Sequence, residues 1–183
     1  MATMKVTRTI ETETTQLEIG DKIKLNLMSN EEHTATAVRR EEDGTMLFVF
    51  DSIMNREYYM NRPGKQEKYE ESDMREYLRE SAVLLMPAHI AAHMVRFENW
   101  DYLRLLTREE VFGAEDGSGQ FSYFKDRKNR AALREGYFDW WWLQDAEDDA
   151  AAYFARVNGV GYATSGYANH NYGVRPAFKI GDL

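Results

Sequence analysis

His89 and His93 stand four positions apart in a stretch, residues 87–97, whose apolar periodicity predicts a helix. Such spacing stacks two imidazoles on one helix face, where they can share a metal ion. A third ligand is needed, and the nearest acid downstream, Glu98, does not fall one further turn along. The plainer reading is a pair of surface histidines beside a core stripe of Ile90, Met94 and Phe97, and the sequence calls for no cofactor. Asp145, Glu147, Asp148 and Asp149 supply oxygen ligands of the kind calcium takes, but Ala146, Ala150, Ala151 and Ala152 break the register of a calcium loop. A solvated loop or helix start fits that cluster better. Lys125, Arg127, Lys128, Arg130 and Arg134 are the one basic concentration, with only Tyr123 and Phe124 close enough to stack on bases, and they read as a solvated helix face. Nucleophile motifs are missing: the chain has no G-x-S-x-G, P-loop or G-x-G-x-x-G. Its four histidines (His33, His89, His93 and His170) stand in no recognisable relation to a serine or aspartate.

Two aromatic segments rise above this background. Trp140-Trp141-Trp142-Leu143 is too apolar for a surface run. Side chains alternate along a strand, so Trp140 and Trp142 are expected on one face of a core strand and Trp141 on the other. The second segment, Tyr162 to Tyr172, reads YATSGYANHNY and contains almost no aliphatic residue. Tyrosine offers amphipathic contact area at low entropic cost, and Ser, Gly and Asn offer adaptable hydrogen bonds, which is the composition of a paratope. The alternative is a plain Gly-rich surface loop. Tyr153, Tyr162, Tyr167, Asn169, His170 and Tyr172 are the candidate ligand-binding residues. Trp140, Trp142, Arg175 and Phe178 are assigned to structure, with Arg175 expected to pair with a carboxylate.

The elements that must position these residues leave local marks. Residues 1–15 are rich in Thr, Glu and Lys, and read as a loose N-terminal arm, or an edge strand added late, ahead of one domain over 16–183. Leu17, Ile19, Ile23, Leu25 and Leu27 alternate with polar residues around Gly20-Asp21, a strand pattern. Asp43-Gly44 between residues 33–40 and 45–50 marks a hairpin. Ser72 or Asp73 can cap a helix over 72–80, where Asp73 and Glu76 have capping-box spacing, and Thr107 with Glu110 repeats that spacing ahead of a helix stopped by Gly113. Pro87 opens the helix over 87–97, and residues 102–106 read as a short buried strand. Beyond Phe138 the chain is rich in strands and loops, with Asn158-Gly159 as a turn.

At 183 residues the chain buries roughly 70% of its unfolded surface and needs no staple. It has no cysteine, which removes disulfides, thiolate metal sites and cysteine nucleophiles. A net charge of −8 argues against nucleic acid or an anionic membrane as a partner, and no apolar run reaches membrane-spanning length. With no secretory leader at the N-terminus, a cytoplasmic location, or a place in a phage particle, is expected.

The order of several of these motifs resembles a bacterial and phage family of domains of unknown function, family 6273. The resemblance rests on Gly20-Asp21, then Ser72 to Leu78, then Asp101-Tyr102-Leu103-Arg104-Leu105-Leu106-Thr107 with Glu110 to Gly113. It continues through Trp141-Trp142-Leu143, Val157-Asn158-Gly159 and Gly173-Val174-Arg175-Pro176-Ala177-Phe178, over about 160 residues. Two positions depart from the family pattern: Gln144-Asp145 stands where Arg-Ser is usual, and Arg79 where Asn is common. The closing motif is also similar to the end of C-type-lectin-like domains of the formylglycine-generating type. This resemblance implies an α+β fold: a single compact domain with a C-type-lectin-like mixed sheet, short flanking helices, and lectin-like strands and loops over 138–180. It excludes two activities by residue type. Formylglycine chemistry needs cysteine, and His89-x-x-x-His93 is followed by Val95 where the iron motif of sulfoxide synthases has Glu.

The resulting expectation is a non-catalytic ligand-binding or display module of bacterial or prophage origin, taking a protein or glycan ligand on its C-terminal third. A structural or assembly protein of a prophage is the alternative, and a metal-dependent enzyme centred on His89 and His93 a third.

Overall fold

The computed structural model describes residues 16–181 except 148 and 150; the expected arm, residues 1–15, lies outside that range. The chain forms a mixed α/β domain of mostly antiparallel sheet with a few short helices. Strands β1 (Lys22–Asn26), β2 (Glu32–Arg40) and β3 (Met46–Phe50) form a meander. The β2–β3 turn has the chemistry the sequence announces. Gly44 takes φ 85°, and Asp43 Oδ1 accepts from Thr45 Oγ1 at 2.6 Å and from Thr45 N at 2.9 Å. Those two donors hold the Asp43 carboxyl down at about 2.

β4 (Tyr58–Tyr59) follows, then a 3-10 turn at Tyr69–Glu71 and helix α1 (Asp73–Glu80). Ser72 caps α1 by accepting from Arg75 N at 3.1 Å. The Asp73–Glu76 box is therefore not formed, and Asp73 instead accepts from Arg62 N and Lys65 Nζ. Arg75 leaves α1 to bond Asp101, Nε to Oδ2 at 2.6 Å, which ties the helix to the segment before Leu103.

The helix expected over 87–97 shrinks to one turn, α2 (Ala88–Ala91), because Met94–Val95 form an edge strand, β5. The expected strand at 102–106 reduces to one bridge, Arg104 to Ala177, although Leu103, Leu105 and Leu106 are buried as foreseen. Helix α3 (Arg108–Phe112) carries the full Thr107/Glu110 capping box and stops at Gly113. Short helices α4 (Ser122–Lys125) and α5 (Arg127–Arg130) lead to β6 (Ala132–Arg134) and β7 (Tyr137–Asp139), a small hairpin.

β8 (Trp141–Ala146), β9 (Tyr153–Val157) and β10 (Ala163–Tyr167) form a three-stranded sheet, and β11 (Asn171–Tyr172) pairs with β4. Strand β12 (Ala177–Ile180) then enters the main sheet between β3 and β5, giving the order β1-β2-β3-β12-β5. Residues near opposite ends of the described chain thus meet at the centre of one sheet.

That sheet is buried on both faces. Met46, Phe48, Phe50, Phe178 and Ile180 join one apolar cluster, while Leu47, Val49 and Ala177 join a second on the other side. Phe178 stacks on Phe48 with ring centroids 5.6 Å apart, which fits its structural assignment. The tryptophan run keeps the expected alternation, with Trp140 and Trp142 both against Tyr172 and Trp141 on the other side, but burial starts one residue later than expected. Trp141 and Trp142 are the fully buried pair, one in each cluster, while Trp140 precedes the strand and is 38% exposed. The reason is a clasp: Gly173 N donates to Trp140 O and Trp142 N to Gly173 O. The backbones approach so closely that a methyl group at Gly173 would lie 2.5 Å from Ile53 Cγ2 and 2.7 Å from Trp140 O. Gly173→Ala should cost about 1–3 kcal/mol of stability through this overpacking. Thermal denaturation checks it, and an unchanged midpoint would mean the clasp yields freely.

Arg175 is buried, but not beside a carboxylate as the sequence suggested. Its Nε donates to Phe50 O at 2.7 Å and its Nη1 to Asn129 O at 2.9 Å. The guanidinium lies 4.8 Å from the Trp141 ring centroid and 5.4 Å from that of Phe124. Burial pushes its pKa down, opposed by nearby Tyr123 and Asp51.

Candidate functional site

The Tyr-rich segment is not one loop. Residues 163–167 are strand β10 and 171–172 are β11, with a tight turn between them. Register then decides which side chains meet. Tyr167 lies opposite Tyr153 on β9, with ring centroids 4.4 Å apart. His170, in the turn, is 5.3 Å from the Tyr167 ring and 6.3 Å from the Tyr172 ring. Tyr172 in turn stacks on Trp140 at 6.2 Å. Tyr153, Tyr167, His170, Tyr172 and Trp140 therefore form a continuous aromatic strip that wraps round the β10 edge. Tyr167 and His170 are exposed and Tyr153, Tyr172 are half-buried; Asn169, also exposed, sits on the turn beside them.

Tyr162 is not part of the strip. It lies at the other end of β10, roughly 16 Å away at about 3.3 Å per residue, with the Arg127 guanidinium 5.0 Å from its ring centroid.

Two members of the surface escape the sequence reading. Trp140 was expected in the core. Arg156 was not singled out at all, yet its guanidinium lies 4.0 Å from the centroids of both Trp140 and Tyr172, a cation held between two rings. Its Nε and Nη1 are buried without a hydrogen-bond partner among the described residues. Gly166 makes room for this sandwich: a methyl group there would sit 2.9 Å from Tyr172 Cε2 and 3.0 Å from Arg156 Nη1. Arginine–aromatic contacts of this kind contribute about 0.5–2 kcal/mol each, so the sandwich fixes the angle at which the rings meet solvent. Below it, Trp142 packs edge-on against Tyr172 and donates its Nε1 to Tyr58 O at 2.9 Å, which anchors the strip to the core.

The other sequence candidates are dispersed. His89 lies in the single turn α2 and His93 beyond its end, both exposed, so the shared helical face that would join them is absent. Among the described residues no group of three or more His, Asp or Glu is placed to hold a metal. In the acidic cluster, Asp145 accepts from the Arg108 N–H at the start of α3, and Glu147 pairs with Arg108 Nη1. Burial raises the Asp145 pKa, with the Arg108 N–H opposing. The basic stretch bends over the β9–β10 turn, where Arg127 bonds Val160 O and Arg130 bonds Gly161 O, instead of presenting one solvated face. No helix among the described residues is long and apolar enough to cross a membrane.

One histidine does have the serine relation that the sequence fails to show. His33 Nδ1 is 2.7 Å from Ser52 Oγ, and its Nε2 is 3.0 Å from Glu31 Oε2.

The motifs now have places in the fold: Ser72 and Arg75 on α1, Asp101 receiving Arg75, the capping box at Thr107, Trp141 and Trp142 in two cores, and Gly173 to Phe178 closing the main sheet. A chain with these features is a mixed, mainly antiparallel α/β domain stapled by its own C-terminal strand. It belongs to the family described as Domain of unknown function (DUF6273), whose model matches residues 43–181. No curated protein and no solved structure matches the chain.

Proposed function

We propose that this chain is a ligand-binding module whose recognition surface is the strip Tyr153–Tyr167–His170–Tyr172–Trp140, with Arg156 clamped within it. The observation that carries the reading is the continuity of partly exposed rings on three strands and the segments that flank them, held at a fixed angle by the Trp140–Arg156–Tyr172 sandwich. Rings presented in this way offer rigid, amphipathic area to sugar faces or to peptide side chains at low entropic cost. A protein or glycan ligand is the class this surface suits. Kinship with C-type-lectin-like domains belongs to the same proposal. Its support is the closing strand, which returns to the centre of the main sheet while the preceding hairpins carry the strip. The bacterial or prophage setting rests on the family resemblance.

Ligands selected from oligosaccharide arrays and from a displayed peptide library provide the test. Tyr167→Ala and His170→Ala should each weaken binding of a selected ligand by about 5- to 30-fold, the loss of a 1–2 kcal/mol aromatic anchor. Tyr162→Ala, at the far end of the hairpin, should leave it unchanged. Binding that ignores the first two substitutions and fails with the third would sink the proposal.

One observation favours an assembly role as a second reading. Tyr137 and Phe138 on the β6–β7 hairpin are 80% and 66% exposed, beside exposed Val160, an apolar patch of the kind that seats another subunit. Mass measured in solution over a range of concentrations separates the readings, since only the assembly role requires a concentration-dependent rise.

A further inference from the structure

The β2–β3 register places His33 opposite Ser52. Ala35 pairs with Phe50 and Thr36 with Val49, and the Asp51 N–H continues the ladder to Thr34 O. One step further on, Ser52 Oγ meets His33 Nδ1 at 2.7 Å, just past the end of β3. The imidazole is buried against the Phe50 ring, with centroids 5.4 Å apart. Its other nitrogen faces Glu31 Oε2 at 3.0 Å.

Glu31 is itself fixed, since Oε2 also accepts from Asn55 N at 2.9 Å and Oε1 from Ser29 Oγ at 3.0 Å. Burial pushes the Glu31 pKa up, but the Asn55 N–H, His33 and Ser29 outweigh it and hold the carboxyl below its ordinary value. With Glu31 ionised, Nε2 carries the proton and donates to it, which leaves Nδ1 as acceptor for the Ser52 hydroxyl.

Ser52 is half-exposed and lies where two hollows meet, of about 290 and 530 Å3. Both are lined by His33, Glu32 and Leu133; Glu135 borders the smaller hollow and Phe138 the larger. A hydroxyl, a base bonded to it, a carboxylate orienting that base, and an open space beside the hydroxyl are the parts of nucleophilic acyl transfer.

We propose that Ser52 is an activated nucleophile, with His33 as its base and Glu31 as the positioning residue, acting on short-chain carboxylic esters that carry no negative charge. The Ser52 oxygen adds to the ester carbonyl carbon and its proton passes to His33 Nδ1. The bond to the alcohol oxygen then breaks, and His33 returns the proton to the departing alcohol, leaving acyl-Ser52. Water adds to that acyl carbon with its proton going to His33, and collapse restores the Ser52 hydroxyl and releases the acid. Leu133 and Phe138 supply an apolar wall for the acyl chain. In the smaller hollow Glu31, Glu32 and Glu135 disfavour a substrate bearing its own carboxylate, while the larger, lined by Lys24 and Lys128 as well as Glu32 and Asp51, carries balanced charge.

The test uses the full chain, a fluorophosphonate probe and p-nitrophenyl acetate. Peptide mapping should find one phosphonyl group per chain, on Ser52, and Ser52→Ala should abolish both labelling and ester hydrolysis. His33→Gln should slow labelling at least 100-fold. Glu31→Gln should slow it about tenfold in a chain that remains folded at the assay temperature, as circular dichroism checks, which separates positioning from folding. The proposal is overturned if folded wild-type chain takes no label, if label persists in Ser52→Ala, or if Glu31→Gln reacts at the wild-type rate. Should His33→Gln fail to fold, the wild-type and Ser52→Ala results still decide.

Discussion

Arg175→Ala is expected to lower the thermal midpoint by roughly 10–20 °C. The side chain is fully buried, and alanine would leave the carbonyls of Phe50 and Asn129 without their guanidinium donors. Each abandoned buried acceptor costs about 1–3 kcal/mol, and the space between Phe124 and Trp141 adds a cavity. A total of about 4–6 kcal/mol in a chain of this size, at about 2–4 °C per kcal/mol, gives the stated shift. Arg175→Lys discriminates the mechanism. An ammonium keeps the charge but cannot bond two divergent carbonyls while stacking between two rings, so its midpoint should fall between wild type and alanine. If lysine matches wild type, charge alone is what the site needs; if alanine shifts the midpoint by less than about 3 °C, the account fails. The residue joins the end of β3, the α5 segment and the strand returning through Pro176, so its loss should loosen the core that seats Trp141.

What could be read in the sequence follows from how local each signal is. The Asp43-Gly44 hairpin and the Thr107–Glu110 box are encoded within a few residues, and both form where expected. The helix over 87–97 fails for a non-local reason. Its apolar spacing suits a helix, but Met94 and Val95 are claimed by Ile180 and Lys179 on a strand more than eighty residues later. Trp140 lies on the face that alternation assigns it but outside the core, because alternation does not show where the buried part of the strand begins. Strand β8 starts one residue later, where Gly173 clasps the backbone, and a sequence does not show which distant glycine approaches it.

The aromatic surface divides in the same way. Tyr153, Tyr167, His170 and Tyr172 stand out by residue type, and a strand register with a tight turn gathers them. Tyr162 shares their composition but lies at the wrong end of β10. Arg156 carries no compositional signal, being one arginine in a short strand. Only the packing of Trp140 and Tyr172 on its two faces marks it. His33 and Ser52 are nineteen positions apart, and what joins them is the β2–β3 pairing extended by one rung. Reading the hairpin turn alone would not have found that rung, because a bulge between Ala37 and Arg39 shifts the register by one residue before it reaches His33.

Glu110→Ala is the second large expected effect, about 3–5 kcal/mol, because it strands a buried cation. Glu110 accepts from Arg104 Nη2 at 2.6 Å and Nη1 at 2.8 Å, and from Thr107 N at 2.9 Å, so a single carboxylate neutralises Arg104 and caps α3. Removing one partner of such a pair leaves an uncompensated charge, which costs more than the pair itself contributes. The pH dependence identifies the mechanism. Burial pushes the Glu110 pKa up, but Arg104, the Thr107 N–H and Arg39 outweigh it, so the folded value lies below the ordinary 4.5. A depressed carboxylate contributes stability that is full above its unfolded pKa and is lost as pH falls through the folded one. Wild-type stability should therefore decline from about pH 4.5 downward, and Glu110→Gln, less stable at neutrality, should show a shallower decline in the same window. Asp145, raised chiefly by burial, works in the opposite sense: protonation relieves it, so the acid limb cannot be assigned to that residue. Urea denaturation of both chains between pH 3 and 7 provides the comparison. Parallel curves would mean that the Glu110–Arg104 contact is not a charge pair in the folded state. Convergence toward low pH would assign Glu110 its own share of the acid lability, beside that of the depressed Asp43, Glu31 and Asp73. That share lies at the start of α3, next to the segment that carries Leu105 and Leu106 into the two cores.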